Sequence, residues 1–147
     1  MNTSDPIVIA KNADSGYFEH GADVGIFGRG ASPELAFQQA AKAMFALMTE
    51  TGRVAAQESI AFEFDEPDLE LAFVTWLNGL LSHGADRGLA LAHFALERAD
   101  SHWKGRAWGE PWRPGLERGT GVKGATLTML SVTNAGGAWD ARCVVDV

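Results

Sequence analysis

Residues 17–26 read YFEHGADVGI, and this stretch decides how the rest of the chain is interpreted. It begins with an aromatic pair and ends in VGI, both typical of strands. Between them, three residues with titratable side chains, Glu19, His20 and Asp23, lie close to Gly21. The pattern predicts two short strand pieces joined by a bend that presents polar groups.

A helix is predicted directly after this region. Ser32 suits the N-cap and Pro33 suits the first helical position. Apolar residues then follow at helical spacing: Phe37, Ala40, Ala41, Met44 and Met48. Gly52 is expected to end this helix.

A strand and a second helix are predicted next. Residues 58–64, ESIAFEF, alternate between apolar and polar, as in a half-buried strand. The helix starts near Pro67 and ends between Gly84 and Gly88. Its buried stripe comprises Leu69, Phe73, Trp76, Leu77 and Leu80.

The remainder of the chain indicates β-structure. Residues 89–99 and 102–110 predict two strands, and a loop rich in glycine and proline follows. Residues 122–132 and 139–147 predict two more strands, joined by a hairpin turn at NAGG. We therefore expect an α+β two-layer sandwich. Two main helices would lie on one face of a mixed, largely antiparallel sheet.

Length and composition narrow the functional classes. The 147 residues fit one domain, which we place at residues 16–147 after a loosely ordered segment 1–15. A net charge of −7 argues against direct binding to a phosphate backbone; if the protein serves RNA, the RNA would be contacted mainly through a partner. The single cysteine, Cys143, excludes an internal disulfide. No signal peptide or membrane-length apolar run is visible, which predicts a cytoplasmic protein.

Side-chain spacing points to no familiar catalytic motif. The four histidines lack metal-protease spacing, and Cys143 falls on the apolar face of a predicted strand. The glycines of GIFGRG, residues 25–30, do not follow the nucleotide-binding order and are interpreted as strand and turn residues.

Carboxylates offer one candidate metal site. Asp146 is adjacent to Val147, which supplies an α-carboxylate if the native chain ends there. If the last strand pairs beside the first, Asp23 meets both. Such carboxylates repel one another unless they share protons or a cation, and oxygen ligands favour hard cations such as Ca²⁺ or Mg²⁺. Two separate, solvated aspartates are the alternative interpretation.

Several blocks in a fixed order give the chain a family resemblance. They are YFEHGADVGI with the helix SPELAFQQAAKAMFALM, then DLELAFVTWLNGLL, GEP, VKGAT and the ending ARCVVDV. Over residues 17–147 the chain resembles archease, a small protein family that assists the RtcB-type RNA ligase. The resemblance implies the archease sandwich of strand-helix-strand-strand units.

The resemblance also implies a function and a site. Archease promotes guanylylation of the ligase and its multiple turnover in tRNA splicing and RNA repair, so this chain would be an accessory factor and not an enzyme. The implied cofactor is a divalent cation, Ca²⁺ above Mg²⁺ or Mn²⁺. Its implied ligands are Asp23, Asp146 and Val147, while His20 and Lys123 belong to a possible functional surface.

The chain also departs from the family pattern near these positions. The usual Thr of the HTAD motif is Gly21, the Glu before VK is Gly121, and a Tyr-His pair is replaced by Leu127 and Thr128. These changes leave the partner open. The alternative function is a chaperone or modulator of another RNA enzyme, such as a tRNA methyltransferase. A hydrolase that uses the acidic cluster is the weakest hypothesis, since no base, nucleophile and oxyanion donor can be named together.

Overall fold

The computed structural model describes residues 8–12 and 14–147. Its two α-helices are α1 (Pro33–Ala46) and α2 (Leu69–Arg87), and a short 3₁₀ turn covers Thr51–Arg53. The strands are β1 (Val8–Asn12), β2 (Ser15–His20), β3 (Asp23–Gly30), β4 (Glu58–Asp65), β5 (Leu89–Ala99), β6 (His102–Pro111), β7 (Gly124–Ala125), β8 (Ser131–Ala135) and β9 (Ala138–Asp146).

Segment 1–15 contains more structure than the sequence predicted. Val8–Asn12 forms β1, which pairs antiparallel with β2, and Ser15 already belongs to β2. Residues 1–7 and 13 lie outside the described part of the chain, so the loose order predicted for them stays a prediction.

The strands form two sheets instead of the single sheet predicted. One follows the order β1-β2-β3-β9-β7, with β8 also paired to β9, and the other follows β4-β6-β5. All pairings between the described strands are antiparallel. Each helix contacts strands of both sheets, so the main core lies between the sheets and around the helices. The α+β class with two main helices is confirmed.

The first helix begins as predicted but ends earlier. The Ser32 hydroxyl accepts the Leu35 N–H at 3.2 Å, and Pro33 occupies the first turn. The helix ends at Ala46, not at Gly52, because the loop at residues 117–120 meets its C-terminal end. There the Gly119 and Thr120 N–H groups donate to the carbonyls of Met48 and Leu47, each at 2.7 Å. These bonds satisfy carbonyls that have no partner inside a helix.

The second helix agrees with the prediction at both ends. The Asp68 carboxylate accepts the Leu71 N–H at 3.0 Å, and Gly88 ends the helix in the left-handed region with φ 65°. Four residues of the predicted stripe are fully buried: Phe73, Trp76, Leu77 and Leu80. The helix therefore faces the core in the orientation that its periodicity indicates.

Two strand edges are covered by polar side chains of the helices. Gln38 of α1 accepts the Leu96 N–H of β5 at 3.0 Å. Asn78 of α2 accepts the Ala125 N–H of β7 at 2.8 Å and donates to the Ala125 carbonyl at 3.2 Å. These contacts join each helix to a sheet edge that would otherwise need another strand.

The last hairpin forms at the predicted turn. Gly136 and Gly137 both have positive φ, 63° and 83°, and Ala135 pairs with Ala138 across them. Two left-handed central residues are the requirement of a type I′ turn. The strand predicted at 122–132, however, is divided into β7 and β8 by an irregular segment.

Candidate metal site

The bend in residues 17–26 is a tight hairpin between β2 and β3. His20 pairs with Asp23 across it, and Gly21 adopts φ 57°, a left-handed value that favours glycine. His20 is exposed and Asp23 is half-buried. Because directly paired residues in antiparallel strands project to the same face, both side chains lie on one side of the sheet.

The C-terminal strand brings the second aspartate to the same place. β9 pairs with β3, and Val145 lies opposite Val24. One residue further along this register, Asp146 lies opposite Asp23. The Val147 N–H donates to Asp23 Oδ1 at 3.4 Å. The pairing of β3 with β9 therefore brings together Asp23, Asp146 and Val147, the three residues of the predicted site.

The other side of Asp146 is bounded by β7. Gly124 pairs with Asp146, and the Lys123 N–H donates to the Asp146 carbonyl at 2.7 Å. The side chains of Lys123 and Asp146 are exposed. We call Asp23 and Asp146, which lie side by side at the ends of β3 and β9, the acidic row; His20 lies beside Asp23 at the end of β2.

Sequence reasoning missed the residue that holds β7 in place. Asn78 makes the two bonds to Ala125 described above, one residue from Gly124. The only signal for it was a polar amide within an otherwise apolar stretch of α2, between Leu77 and Leu80. Its partner could not be identified because the pairing of β7 is non-local.

The donors at the acidic row are oxygen atoms of carboxylates, the chemistry that hard divalent cations prefer. The side chains alone do not complete a site: within the described residues, no group of three or more His, Cys, Asp or Glu side chains could hold a metal ion. A third anionic ligand would be the α-carboxylate of Val147 in a chain that ends there. Asp23 and Asp146 therefore fit a hard cation only together with a main-chain or external ligand.

The candidate nucleophile is inert. Cys143 is fully buried on β9, and burial raises the pKa of its thiol to about 12. A thiol with this pKa carries almost no thiolate near neutral pH, and the thiolate is the reactive form.

The three glycines at residues 25–30 all lie in β3, which agrees with their interpretation as strand residues. An added Cβ at Gly25 would overlap the Phe18 ring, and one at Gly28 would overlap backbone atoms of Ala36 and Ala40. These glycines therefore allow close packing of the Phe18 ring and of α1 against β3.

A second polar cluster lies in the three-stranded sheet, where β4 pairs with β6. His102 Nδ1 is 2.7 Å from Asp65 Oδ1, and His102 Nε2 is 2.6 Å from Glu63 Oε1. The hydrogen bonds that His102 donates to Glu63 and then to Asp65 raise the pKa of His102, and the hydrogen bond that Glu63 accepts from His102 lowers the pKa of Glu63. Both ring nitrogens have a carboxylate partner, so the imidazole offers no vacant nitrogen as a base.

Glu110, in the GEP block, has a structural role. Its side chain is almost completely buried and accepts the Ala55 N–H at 2.6 Å and the Arg113 Nε–H at 2.5 Å. The hydrogen bond from Arg113, followed by that from Ala55, lowers the pKa of this carboxyl group. These contacts fix residues 55 and 113 against the end of β6.

Within the described residues, neither helix is both long and apolar enough to cross a membrane.

Comparison with known proteins agrees with this architecture. The model of the Archease protein family matches residues 16–147. Protein archease of Sulfurisphaera tokodaii is 33% identical over 134 residues, which cover 89% of this chain and 96% of that protein. Protein archease of Methanothermobacter thermautotrophicus is 32% identical over 135 residues, which cover 89% of this chain and 96% of that protein.

Two solved structures share the fold. The solution structure of Methanobacterium thermoautotrophicum protein 1598 superposes with a TM-score of 0.78 at 30% identity, covering 89% of this chain and 96% of that one. The crystal structure of an archease from Thermotoga maritima, described as a possible chaperone, gives a TM-score of 0.63 at 20% identity over 88% and 94%. The fold and the sequence match over most of both chains together show that this chain belongs to the archease family.

Proposed function

We propose that this protein is a metal-binding accessory factor that activates an RtcB-type RNA ligase. The observation that carries the proposal is the placement of Asp23, Asp146 and Val147 at one end of β3 and β9. The chain belongs to the archease family, and the resemblance to that family implies the ligase as the partner whose guanylylation and turnover would be assisted. The process served would be tRNA splicing or RNA repair, in the cytoplasm.

The proposed ligands are the carboxylates of Asp23 and Asp146 and the terminal carboxylate of Val147. A divalent cation at this site, Ca²⁺ above Mg²⁺ or Mn²⁺, would offset triphosphate charge during guanylyl transfer. The chain itself positions the ligands: the β2–β3 turn fixes Asp23, and β7 fixes the backbone of Asp146. His20 and Lys123 flank the ligands and belong to the surface that would face the ligase.

An accessory role suits the remaining chemistry. The thiol of Cys143 is inert, and His102 uses both ring nitrogens on carboxylates. A net charge of −7 provides no general attraction for RNA, so the ligase would make most RNA contacts.

A second candidate function is that of a chaperone or modulator of another RNA enzyme, such as a tRNA methyltransferase. It is favoured by the description of the Thermotoga maritima relative as a possible chaperone. Such a role would depend on the surface of the protein and would not require Asp23.

The test is a guanylylation assay of the purified cognate ligase with GTP, in the presence or absence of this protein. Wild-type protein should accelerate guanylylation, and Asp23→Ala should abolish the acceleration while the fold is retained. Asp86→Ala, which removes an exposed carboxylate from the end of α2, is the matched control and should act as wild type. Full stimulation by a folded Asp23→Ala variant would refute the mechanism. The protein alone should join no RNA ends.

A further inference from the structure

A large bulge interrupts the edge of the six-stranded sheet beside the acidic row. Ala125 lies opposite Val145, and Ser131 lies opposite Arg142. Six steps along the β7–β8 chain thus correspond to three steps along β9, so three residues are extruded. Bulges of this kind are frequent next to functional sites, where they change the direction of side chains.

Hydrogen bonds hold this bulge, residues 126–130, in one shape. Both the N–H and the hydroxyl of Thr126 donate to the Val144 carbonyl, at 3.0 and 2.7 Å. The Val144 N–H donates to the Thr128 carbonyl at 3.0 Å, and the Thr128 N–H donates to the Thr126 hydroxyl at 3.2 Å. Both backbone polar groups of Val144 are therefore engaged by the bulge, which is a fixed feature of the sheet edge.

The fixed bulge exposes two large apolar side chains. Leu127 is 65% exposed and Met129 is 43% exposed. Met129 also has φ 53°, a left-handed value that is unfavourable for a residue with this side chain. Apolar exposure and backbone strain on a rigid element both indicate a binding role.

The position of the bulge indicates what it binds. Its anchor, Val144, lies two residues from Asp146, or about 7 Å along the strand. We propose that Leu127 and Met129 insert into an apolar pocket of the enzyme that receives the acidic row, and so set the affinity of that complex. The inference rests on the proposed function, since it takes the ligase as the partner.

A second copy of the chain fits this surface less well. A symmetric contact places the same patch opposite itself, so Asp23 and Asp146 would approach the same residues of the other copy. A nucleotide-binding enzyme instead provides cationic groups, which complement the acidic row.

The test separates binding from stimulation. Calorimetry gives the affinity of this protein for the purified ligase, and the guanylylation assay gives the maximal rate and the concentration for half-maximal stimulation. Leu127→Asp and Met129→Asn are the test variants; Asn tolerates the left-handed conformation, so the second keeps the bulge. The matched control is Leu35→Asp. Leu35 is 46% exposed and contacts Gly30, which is seven residues, or about 23 Å, from Asp23 along β3.

We expect Leu127→Asp to weaken binding about tenfold or more, the loss typical of an interface anchor, while saturating concentrations restore the wild-type maximal rate. Met129→Asn should act in the same direction, and Leu35→Asp should behave as wild type. Wild-type affinity in both test variants would overturn the inference and leave the proposed function intact. Binding without stimulation by the wild type would instead contradict the proposed function alone. A wild-type dimer that Leu127→Asp dissociates would assign the bulge to contact between copies and overturn the inference.

Discussion

Asn78 and Ala125 are joined by two hydrogen bonds, so that a single side chain of α2 takes the place of a neighbouring strand beside β7. The amide oxygen accepts the Ala125 N–H at 2.8 Å, and the amide nitrogen donates to the Ala125 carbonyl at 3.2 Å. A two-residue strand has little stability of its own. The position of β7 beside Asp146 therefore depends on α2.

Asn78→Ala should lower the free energy of unfolding by about 1–3 kcal/mol, because two half-buried backbone groups lose their partners. Denaturant unfolding measures the loss. Thr75→Ala, one turn earlier on α2, is the control: the Thr75 hydroxyl is exposed and bonds only within its own helix, to Leu71 O at 2.8 Å. Equal stability of the two variants would show that Asn78 does not hold β7.

Trp76→Ala should lower the free energy of unfolding by roughly 3–5 kcal/mol, the range for removal of a large core side chain. Trp76 is fully buried, donates its indole N–H to the Phe37 carbonyl at 3.0 Å and stacks on Phe62 at 5.8 Å. Trp108→Ala provides the comparison, since Trp108 is only half-buried and should lose less. A loss below about 1 kcal/mol for Trp76→Ala would contradict the packing of α2 described above.

Gly28→Ala should destabilise the protein, whereas Gly52→Ala should not. A methyl group at position 28 would overlap the α1 backbone, which cannot move aside as a flexible side chain does, and overpacking of this kind destabilises by about 1–3 kcal/mol or more. An added Cβ at Gly52 has no atom within 4 Å, so Ala there should leave stability unchanged or raise it by up to ~1 kcal/mol. Thermal unfolding of both variants measures the difference, and a neutral Gly28→Ala would contradict the close approach of α1 to β3.

The contacts of His102 should make stability depend on pH. The pKa of His102 is raised from 6.5 in the folded protein, so its stabilising contribution is complete below pH 6.5 and is lost as the pH rises through the folded value. The pKa of Glu63 is lowered from 4.5, so its contribution is complete above pH 4.5 and is lost as the pH falls through the folded value. The interaction is therefore strongest between pH 4.5 and 6.5.

NMR titration of the imidazole measures the pKa of His102 directly. Glu63→Gln should lower this pKa, because the hydrogen bond with Glu63 is the largest cause of its increase. Asp65→Asn should lower it further. The dependence of unfolding on pH above 6.5 should weaken in His102→Gln. An unchanged imidazole pKa in the double variant Glu63→Gln/Asp65→Asn would contradict this assignment.

Calorimetry with Ca²⁺ and Mg²⁺ tests the proposed cation site without the ligase. One cation should bind per folded chain, and Asp23→Ala should abolish binding because it removes one of two side-chain ligands. In a chain that ends at Val147, one added residue should also weaken binding, since it moves the terminal carboxylate away from Asp146. Unchanged binding in folded Asp23→Ala, or no binding of either ion by the wild type, would contradict the site.

Much of the secondary structure could be predicted because its determinants are local. Ser32 and Pro33 marked the start of α1, Gly84 and Gly88 bracketed the end of α2, and the glycine pair marked the last hairpin. The end of α1 was misplaced at Gly52, because the groups that terminate it belong to a loop about 70 residues later in the chain.

The arrangement of strands was less predictable for the same reason. Alternation of apolar residues indicates a strand but not its neighbours, so two sheets could not be distinguished from one. For the candidate site, residue types indicated Asp23 and Asp146, and the family resemblance implied that they are metal ligands, which stays a prediction. Their proximity follows only from the pairing of β3 with β9. The bulge at 126–130 was missed because residues 126–129 alternate between threonine and a large apolar residue, as a half-buried strand does.

The loop after β6 is attached to the C-terminal end of α1 in a way that restricts the loop's side chains very little. The bonds to α1 use the N–H groups of Gly119 and Thr120, and the Thr49 hydroxyl binds the Glu117 carbonyl at 2.7 Å. On the loop side, all three contacts are made by main-chain atoms. Apart from Gly119, whose added Cβ would overlap the Leu47 carbonyl, the attachment places no demand on which side chains the loop carries. Residues 117, 118 and 120 can therefore change in charge and size without loosening the helix, and a scaffold of this kind can be adapted to a different partner through substitutions in one loop.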